Sequence, residues 1–369
     1  MPKNVVLCCD GTANEFAQDR TNVIKLFVTL RQDAATQVTY YHPGLGTMEP
    51  AGALTGIQRR VTKGLGLAFG YGLASDIRDA YVFLMRNFEP GDRVFLFGFS
   101  RGAYTVRAVA SLLHMYGILR RDNDALVPYA IRMLMGIHRQ PQADAAAVSQ
   151  YFSLARDFKE SMTWTPCRPW FVGVWDTVSS VGWVDNPLHL PYVANNPDIE
   201  IGRHAVAIDE RRAFFRTALW RPRGPNEEAG PKDLQQVWFA GVHCDVGGGY
   251  PEVESGLSKI PLGWMLREAK AHGLLVDESR EDVVMGRISG AGYVPPDPNG
   301  MTHESLSGAW HVAEYLPRRR YDWDTGGYHR KANVGKRRYI APGSLVHESV
   351  FQRAGNYAAR LPADVVRVP

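Results

Sequence analysis

The sequence predicts an α/β protein whose central sheet is mostly parallel and covered by helices on both faces. Apolar, strand-like runs alternate with amphipathic, helix-like segments over roughly the first 270 residues, the order typical of parallel sheets. These runs are apolar throughout rather than at every second position, as expected of strands buried on both faces. No internal repeat is apparent, so residues 1–369 are expected to form one domain. A helical cap is expected around residues 120–165, and a loop-rich extension around residues 290–369.

The composition is that of a globular protein, with 45% hydrophobic residues, 22% charged residues and a net charge of +4. Such mild basicity does not indicate nucleic-acid binding. The basic runs 318–320 and 336–338 are expected to be solvated, with contact to a membrane surface as the alternative. The four cysteines are too few for a disulfide framework and include no C-x-x-C spacing, so no metal or other cofactor is expected. The N-terminus lacks an apolar signal segment, which predicts a cytoplasmic protein.

The first strand is predicted at residues 4–9 and ends at the turn Asp10-Gly11-Thr12. Phosphatases with an aspartate nucleophile carry another aspartate two positions earlier, where this chain has Cys8, so that chemistry is not expected. The backbone of Gly11 or Thr12 is expected instead to donate a hydrogen bond to a developing oxyanion, because glycine lets the backbone approach a substrate closely. Asp10 would either orient the turn or bind a metal ion.

The next segments have the periodicity of a helix at residues 21–33, a strand at 37–41 and a helix at 74–88. A long glycine-rich loop at residues 42–71 separates the strand from the second helix. Its apolar end, residues 64–70, is interpreted as a lid or interfacial loop, because long loops in compact domains are often functional.

Residues 93–108 contain a pattern with direct chemical meaning. An apolar run ends at Gly98, Ser100 follows, and Gly102 opens a helix-like segment. This is G-x-S-x-G between a strand and a helix, the setting of a nucleophile elbow. A strand that reverses so sharply needs positions without side chains, which Gly98 and Gly102 provide. Ser100 is therefore expected to project a reactive hydroxyl beside the amide of Arg101, an oxyanion donor. The alternative is an ordinary turn in which Ser100 caps the helix.

Later segments continue the alternation of strands and helices. The predicted strands are residues 169–175, 203–208 and 237–242, and the predicted helical segments are residues 122–159, 261–272 and 344–354. Asp176 directly follows the first of these strands, and His243 directly follows the last.

Four predicted strands thus end at a candidate functional residue: Asp10, Ser100, Asp176 and His243. Ligands of parallel sheets bind at the carboxyl ends of the strands. The order Ser, Asp, His along the chain is that of the α/β-hydrolase fold.

The catalytic hypothesis gives each of these side chains a role. Ser100 would be the nucleophile, His243 its base, and Asp176 the carboxylate that orients the imidazole. His347 is the alternative base, because a late loop can also deliver a histidine. Asp245 is interpreted as a turn residue near His243.

Five segments, CCDGTAN, GFSRGAYTVRA, GVWDTVSSVG, HAVAIDERRAFF and VWFAGVHCDVGGGY, span residues 5–250 and together resemble one family. It is the α/β-hydrolase family first labelled a domain of unknown function, which includes the class 1 phospholipase effectors of bacterial type VI secretion. The resemblance implies a triad at Ser100, Asp176 and His243 and hydrolysis of lipid esters, with phospholipase A1 or A2 activity. It also implies export by type VI secretion, a secretion-apparatus partner and an immunity protein.

Two other function classes stay open from the residues alone. One is a non-catalytic binding module built on a hydrolase scaffold. The other is a metal-dependent hydrolase with Asp10 and Asp245 as oxygen ligands. Loss of activity in EDTA would distinguish the metal-dependent enzyme from a serine esterase.

Overall fold

A computed structural model describes residues 2–11, 20–44, 69–136, 145–178, 182–183, 186–187, 190–220, 230–308, 310–315, 318–322 and 327–369. Within these ranges the strands are β1 (Asn4–Cys9), β2 (Gln37–His42), β3 (Arg93–Phe99), β4 (Ile118–Leu119), β5 (Thr163–Thr165), β6 (Pro169–Trp175), β7 (Gly182–Trp183), β8 (Asn186–Pro187), β9 (Ile201–Ala207), β10 (Asp233–Phe239), β11 (Arg318–Asp322), β12 (Gly327–Lys331), β13 (Leu345–His347) and β14 (Val366–Val368). An eight-stranded sheet has the order β14-β13-β10-β9-β6-β3-β1-β2, with parallel neighbours throughout. The predicted parallel α/β architecture is confirmed.

Helices cover both faces of this sheet. In the described residues the α-helices are α1 (Asn22–Thr29), α2 (Phe69–Asn87), α3 (Arg101–Tyr116), α4 (Val127–Gly136), α5 (Ala145–Met162), α6 (His243–Gly247), α7 (Gly256–Ala271), α8 (Glu278–Val284) and α9 (Trp310–Ala313). Alternate side chains of a strand point to opposite faces. Leu7 accordingly packs with residues of α2 and α3, whereas Val6 packs with residues of α1 and α7. The central strands are therefore buried on both sides.

The strand order brings the candidate residues to one edge of the sheet. Ser100 follows β3 and Asp176 follows β6, and these two strands are hydrogen-bonded neighbours. His243 is the first residue of α6, which follows β10, and β10 is separated from β6 by β9 alone. Asp10 follows β1, on the other side of β3. Because all of these strands are parallel, their carboxyl ends form a common rim.

The helical insertion packs beside the sheet. Its flanking strands β4 and β5 pair just after the carboxyl end of α3, which is the end farthest from Ser100. The rings of Tyr116 and Phe158 lie 5.4 Å apart and join α3 to α5. Residues 137–144, between α4 and α5, lie outside the described residues. A cap over the site therefore stays a prediction. No described helix combines the length and the apolarity needed to cross a bilayer.

One predicted element is wrong, and another lies mostly outside the described residues. The helix predicted at residues 344–354 is wrong: Leu345–His347 is strand β13, followed by a short 3-10 helix. This segment pairs in parallel with β10 on one side and β14 on the other, and this tertiary pairing outweighs the local helical pattern. The lid predicted at residues 64–70 lies mostly outside the described residues, and α2 already begins at Phe69.

Candidate active site

The elbow between β3 and α3 has the strained geometry that its glycines suggest. Ser100 has φ 58° and ψ −119°, a conformation that residues with a side chain rarely adopt. A Cβ on Gly98 would lie 2.5 Å from the carbonyl oxygen of Gly102, and a Cβ on Gly102 would lie 2.1 Å from that of Cys9. Both positions therefore exclude side chains. The Ser100 hydroxyl makes no capping bond to α3, so the simple helix-cap interpretation is not realised.

His243 and Asp176 are paired directly. Nδ1 of His243 lies 2.5 Å from Oδ2 of Asp176, and both side chains are buried. A carboxylate can only accept, so Nδ1 carries the proton and Nε2 keeps its lone pair for a base. Oδ1 of Asp176 accepts from the amide of Ala207 at 3.0 Å, which fixes the second oxygen. The positive φ of 38° at Asp176 turns the chain sharply as it leaves β6.

Aromatic rings hold the His243 imidazole beside the elbow. The ring of Phe99, the residue before Ser100, lies 4.6 Å from the imidazole, and Phe215 contacts it edge-on at 4.9 Å. Burial lowers the pKa of His243, with Asp176 opposing the effect, so the imidazole is neutral at neutral pH. Among the described residues the structure records no hydrogen bond between the Ser100 hydroxyl and His243. Such bonds often tighten only when substrate is bound.

Arg338 is a site residue that sequence reasoning missed. Its Nη1 lies 2.5 Å from Oδ1 of Asp176 and its Nη2 lies 2.9 Å from Oδ2. The expectation that the run 336–338 is solvated is therefore wrong at Arg338, whose side chain is 8% exposed. Burial alone would raise the pKa of Asp176, but the Arg338 guanidinium and the His243 bond hold it well below its usual range. No local signal distinguishes Arg338 from its basic neighbours.

A second buried carboxylate, Glu210, supports the backbone of His243. Its Oε2 accepts from the amide of His243 at 3.3 Å and pairs with Arg212 at 2.9 Å, while its Oε1 accepts from Ser305 at 2.9 Å. Burial would raise the pKa of Glu210, but Arg212, through its charge and its hydrogen bonds, chiefly lowers it to about 2. Arg212 in turn covers the ring of Phe215 at 3.5 Å. This cluster holds the backbone amide of His243 and the Phe215 ring that contacts its imidazole.

Two of the three candidate oxyanion donors, Gly11 and Arg101, lie within the described residues. The amide of Gly11 donates to Oδ1 of its neighbour Asp10 at 2.7 Å, and Thr12 lies outside the described residues. Arg101 is the first residue of α3, so its amide lies at the helix N-terminus, where the helix dipole favours negative charge. Burial lowers the pKa of its side chain to about 9, and Asp76 opposes that effect.

The Asp10 carboxylate accepts hydrogen bonds from two neighbouring segments. Its Oδ2 accepts from the hydroxyls of Thr21 at 2.5 Å and Tyr41 at 2.9 Å. The described residues contain no group of three or more metal-ligating side chains. These contacts hold Asp10 between β2 and the start of α1.

The other two secondary candidates have structural contacts. Asp245 accepts from the amide of Val242 at 2.9 Å at the start of α6, and its Oδ1 lies 2.6 Å from Nδ1 of His303. His347 stacks on Phe239 with ring centres 4.8 Å apart. Burial lowers the pKa of His347 to about 4. Its recorded contacts do not include Asp176 or Ser100, so the geometry favours His243 as the base.

The chain is similar to a yeast protein and to a protein of Pseudomonas aeruginosa. An uncharacterized protein of Saccharomyces cerevisiae is 35% identical over 230 residues, which are 60% of this chain and 33% of the yeast protein. The chain thus spans about a third of the length of this curated relative. A crystal structure of an uncharacterized protein from Pseudomonas aeruginosa aligns with 21% identity and a TM-score of 0.43, over 76% of this chain and 47% of that one.

A second solved structure and one family model also match the chain. The Tle1 effector, solved bound to the VgrG spike of the type 6 secretion system, aligns with 17% identity and a TM-score of 0.37, over 69% of this chain and 52% of that one. Residues 3–268 match the family described as the catalytic domain of Tle1-like phospholipase effectors of type VI secretion. The matched range includes Ser100, Asp176 and His243 and excludes Arg338.

Proposed function

We propose a function from one premise: the chain belongs to the family of Tle1-like phospholipase effectors of type VI secretion. The proposed activity is hydrolysis of carboxylic esters of lipids, of the phospholipase A type, through an acyl-enzyme on Ser100. The observation that carries it is the buried pair of His243 and Asp176, held at the rim of the sheet beside the strained serine.

In the proposed first half-reaction, Oγ of Ser100 attacks the ester carbonyl carbon while Nε2 of His243 accepts the hydroxyl proton. Asp176 stabilises the resulting imidazolium through Nδ1. The amide of Arg101 and the backbone of Gly11 or Thr12 stabilise the oxyanion. Gly11 would have to release Asp10 to do so, because its amide donates to that carboxylate here.

The imidazolium gives its proton to the departing alcohol oxygen, which completes the first half-reaction and leaves the acyl group on Ser100. In the second half-reaction, water replaces the alcohol and the same groups act again. His243 then takes a proton from water, the hydroxide attacks the acyl carbon, and Ser100 regains its proton as the fatty acid leaves. No residue outside the proposed triad needs to change its charge.

The test compares hydrolysis of p-nitrophenyl butyrate, and of phosphatidylethanolamine in vesicles, by the wild type and by Ser100→Ala. Removing the nucleophile is expected to lower kcat by about 10⁴-fold or more. Ser161→Ala, which removes an exposed hydroxyl on α5, is the matched control and should keep full activity. Turnover by a folded Ser100→Ala protein at the wild-type rate would overturn the proposal.

We further propose that the chain acts as an antibacterial effector that associates with secretion-apparatus and immunity proteins, as its family membership suggests. Expression directed to the bacterial periplasm should then slow growth, and Ser100→Ala should remove the effect. Harmless periplasmic expression of an enzyme that is active in vitro would contradict the toxin role while leaving the esterase intact.

A further inference from the structure

We propose that Arg338 is a positioning residue of the hydrolase, delivered by the C-terminal extension to hold the Asp176 carboxylate ionised and aimed at His243. This inference rests on the proposed function. It adds a fourth side chain to the Ser-Asp-His set, from a segment that lies beyond the family match at residues 3–268.

The first argument is the set of hydrogen bonds that the two terminal nitrogens of the Arg338 guanidinium make. Nη1 of Arg338 reaches Oδ1 of Asp176 at 2.5 Å and the carbonyl of Ala207 at 3.0 Å. Nη2 reaches Oδ2 of Asp176 at 2.9 Å and the carbonyl of Phe215 at 2.5 Å. The four hydrogens of the two terminal nitrogens thus have four acceptors. Only a planar guanidinium offers this fork, which a lysine ammonium cannot reproduce.

The second argument is electrostatic. Asp176 is completely buried, and burial disfavours a carboxylate unless a cation and donors compensate. Neutral His243 offers Asp176 only its Nδ1–H bond, and it supplies a positive charge only after it has accepted a proton. Arg338 supplies a positive charge that does not depend on the catalytic cycle. Asp176 can therefore stay ionised while His243 is a neutral base.

The third argument is that the extension is anchored next to the site. Glu314 is buried, and its Oε2 accepts from the amide of Gly335 at 2.9 Å and from Asn333 at 2.6 Å. Its Oε1 accepts from the amide of Ala213 at 2.5 Å. Nε of Arg211 donates to the carbonyl of Gly335 at 3.0 Å. These bonds tie residues 333–335 to the loop after β9, just before Arg338 enters the site.

Further charged groups face the pair and enter any pH dependence. Glu210 and Arg212 flank His243, and His204 lies near Asp176. Burial lowers the pKa of His204 to about 3, so it stays neutral over the working range. Among the described residues, Glu210 and Arg212 act electrostatically on His243 and Arg107 acts on His204, and a change at position 338 leaves all three side chains in place.

The experiment measures kcat and KM for p-nitrophenyl butyrate against pH in the wild type, Arg338→Met and Arg338→Lys. Without the guanidinium, the uncompensated negative charge of Asp176 raises the pKa of His243, or Asp176 itself takes up a proton. Both changes move the acidic limb of the kcat profile to higher pH, by about one unit or more. We expect kcat to fall at neutral pH with KM nearly unchanged, and Arg338→Lys to restore the limb in part. A purely structural role would lower the melting temperature without moving the limb.

Arg337→Met, which removes the exposed charge next to Arg338, is the matched control and should retain the wild-type profile. An unshifted limb and normal kcat in folded Arg338→Met would overturn the inference while leaving the esterase intact. A wild-type protein that neither hydrolyses p-nitrophenyl butyrate nor reacts with a fluorophosphonate probe at Ser100 would instead overturn the proposed function, and the inference with it.

If Arg338→Met does not fold, the double variant with Asp176→Asn decides, because it removes the unpaired buried charge. Recovery of folding in the double variant would support the coupling of Arg338 to Asp176. Failure of the double variant to recover would overturn that coupling.

Discussion

Replacing Gly102 by alanine probes the construction of the elbow without touching a reactive group. An added Cβ would lie 2.1 Å from the carbonyl oxygen of Cys9 and 2.5 Å from that of Asp10. Ordinary contact begins at about 3.5 Å, so the closest approach is more than 1 Å too short. The obstructing atoms belong to the backbone at the end of β1 and cannot rotate away as a side chain could. The helix α3 must therefore shift relative to β1.

We expect the free energy of unfolding of Gly102→Ala to fall by about 3 kcal/mol, the upper range for overpacking against rigid surroundings. A displacement of about 1 Å between Ser100 and its partners should also lower kcat by about 10²-fold. Urea denaturation and p-nitrophenyl butyrate turnover measure the two effects.

Gly136→Ala is the matched control, because a Cβ there meets no described atom within 4 Å. Its stability should be unchanged or slightly higher, since alanine is the better helix former. A Gly102→Ala protein as stable and active as the control would refute the close approach of α3 to β1.

Three further predictions follow from the surroundings of the site. Burial opposes protonation of His303, but Glu254 and Asp245 together raise its pKa. The resulting stabilisation should be present below about pH 6.5 and be lost as the pH rises through the raised value. Thermal denaturation of wild type and His303→Gln across this range checks it, and parallel curves would contradict it. Glu210→Gln breaks a buried pair with Arg212 and should cost about 3 kcal/mol in urea denaturation, whereas an unchanged midpoint would count against that pair. EDTA should leave ester hydrolysis unchanged, because the carboxylates of Asp10 and Asp245 already accept hydrogen bonds from hydroxyl, amide and imidazole groups. Reversible inactivation by EDTA would disprove this.

The parts of the site that could be predicted from the sequence are those with a local cause. The Gly98-x-Ser100-x-Gly102 pattern predicts the strained turn by itself, because the two glycines that the turn requires lie within the same five residues as Ser100. Asp176 and His243 could be anticipated because apolar runs mark strands, and the ends of parallel strands share one rim. These inferences need no knowledge of how distant segments meet.

The contributions of the extension could not be predicted in this way. Arg338 meets Asp176 across 162 positions of sequence, and it stands in a basic run whose ordinary interpretation is a solvated surface. Glu314 and Asn333 likewise act through contacts with a loop far along the chain, and no periodicity marks them. The segment Leu345–His347 has a helix-like sequence pattern, and only its pairing with β10 identifies it as a strand. The contacts of Asp10 are likewise non-local, because its partners Thr21 and Tyr41 lie 11 and 31 positions along the chain.

The central claim is that Ser100 is activated by His243, and labelling with a fluorophosphonate probe tests it most directly. Peptide mass spectrometry should find one label, on Ser100 of the wild-type protein. Labelling should disappear in Ser100→Ala and slow by several orders of magnitude in folded His243→Ala. A label on a different residue, or undiminished labelling of Ser100 without the imidazole of His243, would contradict the account.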